Sequence, residues 1–258
     1  MSVDSDFARL SVGDLALRIR QEMIPLDSKF SYFFTAVTLS EDDIREYLRE
    51  PVAALPPAVC GLLPKVSIVL VPYLEKVNEK SKNDGSDELI CFEKPAENRL
   101  SWSCRFYASE EAFLAFGIRD QEMVDYHYRL YRQVAELTGS LCGEETLGRY
   151  GGLLREELGA GAHGEVDETS WHHKQTLLRR QNNPRRETKA FRDYLLRSLV
   201  DTLTLYLHGL CCDIDVETGP RQLPSRHLRR RLQLLQSIYP PPEGYAVFPE
   251  ELNSNGGE

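Results

Sequence analysis

The longest helical pattern in the chain lies at 188–210. Phe191, Leu195, Leu199, Leu203, Tyr206 and Leu210 recur at spacings of three and four and form one apolar face. Leu196, Val200 and Leu207 widen it, leaving a narrow polar stripe of Asp193, Arg197, Asp201, Thr204 and His208. A face that wide predicts a largely buried helix around which other elements pack. Along the stripe, Asp193 with Arg197 and Arg197 with Asp201 are one turn apart and are expected to pair. Gly209 is the expected stop, because glycine accepts the left-handed conformation common at helix ends. Beyond it Cys212, Ile214 and Val216 alternate with Asp213, Asp215 and Glu217, the two-residue period of a strand, which Gly219-Pro220 closes.

The same patterns place the other elements. Ser11 is the expected cap of a helix with Val12, Leu15, Ile19 and Met23 on one face. Residues 30–39 (FSYFFTAVTL) are aromatic and β-branched and predict a strand, followed by a capping box from Ser40 to Asp43. The run 65–72 (KVSIVLVP) is apolar on both alternating sets, so it predicts a strand covered on both faces. Strands are also expected at 89–93 and 99–107. In the latter, Leu100, Trp102, Cys104 and Phe106 alternate with polar neighbours, the mark of a half-buried antiparallel strand. From Ser109 the pattern turns helical, with helices expected at 120–137, 153–158 and 170–180. A last helix is expected to be capped by Ser225, with Leu228, Leu232, Leu235 and Ile238 inward. Together these predict one α+β domain over 1–250. Its small mixed or mostly antiparallel sheet (strands near 30–39, 65–72, 89–93, 99–107 and 211–217) is packed by helices mainly from the C-terminal half, and a disordered tail is expected at 251–258.

Composition adds class and compartment. Of 258 residues, 41% are hydrophobic and 28% charged, ordinary values for a globular protein. No apolar run reaches the roughly 18 residues of a membrane span. The N-terminus has no basic start followed by an apolar block, so no secretory signal is expected. The six cysteines show no CxxC spacing. With no signal they predict reduced thiols and a cytoplasmic location.

The net charge of −9 is unevenly spread. Residues 1–173 carry 18 bases and 30 acids, residues 174–231 carry 13 and 6, and the remainder has four acids and no base. Overall acidity gives no strong case for nucleic-acid binding. The basic segment can instead serve a protein partner or an anionic ligand. Arginine forks match carboxylate and phosphate, and Arg185, Arg186, Arg226, Arg229 and Arg230 are the candidate binding residues.

Two carboxylate or histidine groups have the chemistry of metal ligands. On a strand Asp213, Asp215 and Glu217 share one face at roughly 7 Å steps and could hold Mg²⁺ for phosphoryl chemistry. The Asp-Ile-Asp-Val string resembles the metal-binding strand of nucleotidyltransferases, without the Gly-Ser turn that precedes the acids in those enzymes. His163, Glu165 and His172 are residue types of a catalytic zinc site, though no HExxH motif sets two imidazoles on one helical face. The Gly-rich stretch 159–164 fits GxGxxG in letters but follows a helix and precedes acids, so it predicts a loop rather than a phosphate cradle. Neither Mg²⁺ nor Zn²⁺ is firmly implied, and oligomeric state is not set by these patterns. The leading expectation is a non-enzymatic intracellular binding protein using the basic surface at 179–231 or the loop at 159–169. The alternatives are a metal-dependent enzyme acting on a phosphorylated or nucleotide substrate and, behind it, a zinc hydrolase.

Overall fold

The computed structural model describes residues 9–77, 85–108, 110–179, 187–212 and 222–248. It is an α+β structure with a five-stranded mixed sheet, a three-stranded antiparallel sheet and helices mostly in the C-terminal half. The chain divides into two compact units: Met1–Val52 with Leu63–Arg129, and Ala53–Leu62 with Leu130–Glu258.

In the first unit, helix α1 (Val12–Ile19) starts where Ser11 accepts the Asp14 N–H. Its apolar face of Val12, Leu15, Ala16 and Ile19 is buried with Val69 and Val71 of β3 (Lys65–Val71) and with Phe113 and Ala115 of β8 (Glu111–Gly117). The other set of β3 side chains, Val66, Ile68 and Leu70, is buried as well. That is the double cover its sequence predicts. Strand β2 (Phe30–Phe34) pairs parallel with one edge of β3 and β8 pairs parallel with the other. Short β1 (Ile24–Pro25) and β7 (Ser103–Ala108) flank them antiparallel, giving the order β1-β2-β3-β8-β7. The second sheet is β5-β4-β6, from β4 (Tyr73–Glu75), β5 (Leu89–Cys91) and β6 (Leu100–Ser101).

Two expectations fail in this unit. Residues 111–117 form a central strand where a helical region was predicted to begin. EAFLAFG is apolar at nearly every position, and a run buried on both faces carries no period that tells strand from helix. The strand expected at 30–39 ends at Phe34, and Ala36 takes a left-handed φ of 56° that breaks it. The capping box at Ser40 and Asp43 is present and opens α2 (Glu41–Ile44). The helix then widens into a π turn over Arg45–Arg49, where the Glu50 N–H reaches Arg45 O, before α3 (Glu50–Ala53). Pro51 supplies the cause, since it has no N–H to donate to the Tyr47 carbonyl.

The second unit is helical. It holds the later turns of α5 (Met123–Leu141), then α6 (Glu144–Gly159), α7 (Glu168–Arg179), α8 (Lys189–Cys211) and α9 (Ser225–Ile238), besides the short α4 (Pro57–Leu62). Helix α8 is the packing spine the pattern predicts, with Phe191, Leu195, Leu199, Leu203, Tyr206 and Leu210 buried. Thr188 caps it by accepting the Phe191 N–H. Two glycines set its neighbours close. A Cβ at Gly151 of α6 would sit 2.7 Å from Leu195 Cδ1, and one at Gly139 of α5 would sit 2.8 Å from Val200 Cγ2. Close approach to α8 is the use of Gly151 in α6, which runs far beyond the expected 153–158.

Helix α8 passes through Gly209 and ends at Cys211, with the Cys212 N–H bonded to His208 O at 2.9 Å. Glycine permits a stop but does not compel one when both flanks are packed. Helix α9 has Ser225 as its first residue rather than its cap; Pro224 O accepts the His227 and Leu228 N–H groups instead. Of the strand expected at 211–217, Cys211 instead ends α8 and Cys212 follows as its cap, while 213–217, like the tail at 251–258, lies outside the described residues. Among the described residues no helix is long and apolar enough to cross a membrane.

Candidate functional site

Helix α8 presents two chemically different environments within the second unit. On one side it closes over buried charge. Arg231 of α9 is fully buried, and its five N–H donors are all engaged. Nε and Nη2 reach Glu157 of α6 at 3.1 and 2.5 Å. Nη1 reaches Glu165 Oε2 at 2.7 Å and Ser198 Oγ at 2.8 Å, and Nη2 reaches Glu165 Oε1 at 3.0 Å. Glu165 also accepts the Tyr194 hydroxyl and lies 3.4 Å from Lys174 Nζ. Lys174 in turn donates to Gly164 O at 2.8 Å. Gly161 and Gly164 have φ of 67° and 76°, so the loop that delivers Glu165 turns where only glycine does so without strain. Beside this cluster Tyr150 O–H meets Ser198 Oγ at 3.1 Å and Thr202 Oγ1 at 2.7 Å.

The electrostatics follow from these contacts. Burial opposes charge on Glu165, but the Arg231 guanidinium and Lys174 outweigh it and hold the carboxyl below its usual range. Burial dominates at Lys174 and lowers its ammonium despite Glu165. A second node lies further along α8. There Asp201 accepts from Arg132 and from the Ser170 N–H at 3.2 Å, and burial still raises its carboxyl. Glu157, Glu165 and Lys174 are sealed from solvent, so the cluster ties α6, the loop, α7, α8 and α9 together and offers no reacting group to a substrate.

On the other side of α8 lies an open groove. Two adjoining hollows, of about 330 and 290 Å³, share His173 of α7 and Asp193 of α8. The first continues past Leu196, Arg197 and Val200 to Glu136, Gly139 and Ser140 of α5; the second is completed by Thr176, Lys189 and Ala190. Arg197 turns away from Asp193 and pairs with Glu136 at 3.1 Å, and Glu136 also receives Arg132 at 3.4 Å. Neither α8 pair expected from the sequence forms, because the acids and bases of α5 compete for the same partners: Asp201 takes Arg132, and Arg197 takes Glu136. Asp193 is left, half-buried, with no hydrogen bond or ion pair among the described residues. The half-buried His173 and the exposed Lys189 likewise have no side-chain hydrogen bond or ion pair among the described residues.

No protein-family model, curated protein or solved structure matches this chain.

The sequence-predicted site residues are scattered. Glu165 is at the centre of the buried cluster, whereas His163 is exposed and His172 lies 3.5 Å from Glu168 on the outer face of α7. His163, Glu165 and His172 are not brought together: the two imidazoles are exposed, whereas Glu165 is buried on Arg231. Arg226, Arg229 and Arg230 are exposed on α9, with Arg229 stacked 4.5 Å over Phe248 and Arg230 paired with Glu156 at 2.7 Å. Asp213, Asp215, Glu217, Arg185 and Arg186 lie outside the described residues. His173 stood among the candidate histidines, beside His172, and Asp193 in the polar stripe of α8; what the sequence did not show is that the two come together. Their juxtaposition depends on how α7 packs on α8.

Proposed function

We propose that the chain is a non-catalytic binding module whose helical unit takes a small polar ligand in the groove at His173 and Asp193. One observation carries this. These two side chains line both hollows and have no protein partner among the described residues, while the neighbouring Arg197 and Glu136 satisfy each other. Polar groups that line a concave surface without a protein partner are the groups a ligand can engage. The exposed arginines of α9 support an anionic partner less strongly, since Arg229 and Arg230 already have contacts within the unit. The test is a methyl and imidazole NMR screen of the whole chain against a set of small amines, carboxylates and amino acids. Saturable shifts should centre on His173, Leu196 and Val200 and vanish in the double variant H173A/D193N. Shifts confined to other surfaces would reject the groove.

A further inference from the structure

The groove has an order of chemistry along its length. At one end Lys189 offers a free ammonium, beside the Thr176 hydroxyl. In the middle His173 and Asp193 face both hollows. At the other end Leu196, Val200 and the bare backbone of Gly139 form an apolar floor, with Ser140 and the Arg197–Glu136 pair at its rim. Arg197 and Glu136 neutralise each other, so the charges left for a ligand are one cation and one anion. Lys189 and Asp193 are four residues apart on α8, the spacing at which a lysine and an aspartate can bridge, yet they do not.

From this sequence of cation, anion and apolar floor we infer that the ligand is a zwitterionic α-amino acid with a medium-sized aliphatic side chain. Its carboxylate meets Lys189, its ammonium meets Asp193, and its side chain lies on Leu196 and Val200. His173 supplies a ring nitrogen to the polar end. A monocarboxylate would leave Asp193 unanswered, and a simple amine would leave Lys189 so. Each hollow exceeds the volume of one aliphatic side chain. The inference rests on the groove being a binding site at all, and the experiment separates the two.

Four probes are titrated into the full chain while the methyls of Leu196 and Val200 and the His173 ring are followed by NMR: L-leucine, isocaproate, isoamylamine and L-leucinamide. Isocaproate lacks the ammonium; the other two analogues lack the carboxylate, and leucinamide stands for the N-terminal residue of a peptide. L-leucine is expected to bind at least about tenfold tighter than each of the others, since each loses one charged contact. D193N should weaken L-leucine and leave isocaproate unchanged, and K189M should weaken L-leucine and leave isoamylamine unchanged. Equal binding of L-leucine and leucinamide, or of L-leucine and isocaproate, would overturn the zwitterion while the groove remains a site. If no probe moves these resonances, both the ligand class and the groove fail together.

Discussion

The two sides of α8 carry nearly the same residue types and put them to opposite use. At Arg231 every guanidinium donor finds an acceptor and the side chain is sealed from solvent. At Asp193 and His173 the groups stand half-buried beside a hollow and find none. The difference lies less in the residues than in what faces them. Glu165 meets two cations from other elements, whereas the cation best placed for Asp193 is drawn off by Glu136 of α5. A helix can therefore bury charge as structure on one face and hold it in reserve on the other.

The largest break in that contrast comes from Arg231→Met. It strands Glu157 and Glu165 in the interior with Lys174 alone, and unfolding by urea should show a loss of about 3–5 kcal/mol. Glu165→Gln should cost about 1.5–3 kcal/mol at neutral pH, as expected for lost charged hydrogen bonds. It also changes the pH profile. Because the folded Glu165 carboxyl titrates below its usual range, its stabilisation is present above that range and is lost as pH falls through the lowered value. Urea midpoints at neutral and strongly acid pH should therefore differ less in the variant than in the parent. Asp201, raised by burial, works in the opposite sense.

On the groove side the stability effects shrink. Gly139→Ala places a methyl against Val200 and should cost about 1 kcal/mol, read as a lowered melting temperature. Asp193→Asn, which has no partner to lose, should stay within about 0.5 kcal/mol of the parent. A larger loss on melting would mean that Asp193 has a structural role, and the contrast between the two faces would fall.

Much of the architecture was legible in the chain because it has a period. Ser11 with Val12, Leu15 and Ile19, the box at Ser40 and Asp43, the doubly buried 65–71 and the apolar face of α8 each announce their local structure and buried side. Residues 111–117 did not, because a run buried on all sides has no contrast to read. The buried cluster and the groove were illegible for another reason. Arg231 sits in a row with Arg229 and Arg230 and looks like its neighbours, yet it alone of the three points inward, which its place on α9 decides once α6 and α8 are packed. Nor does the local sequence say that Arg197 prefers Glu136, 61 residues earlier, to Asp193 one turn away.

The order in which the central sheet is threaded has a consequence during synthesis. Strand β3 finds β2 already made, but its other edge waits for β8, with the whole of β4 to β7 between them in the chain. For that interval a fully apolar strand has one side open, and an open edge of this kind is a template for pairing with another chain. The nascent protein is therefore most exposed to misassembly before residues 111–117 have emerged, and slowing translation just ahead of them should raise the aggregated fraction.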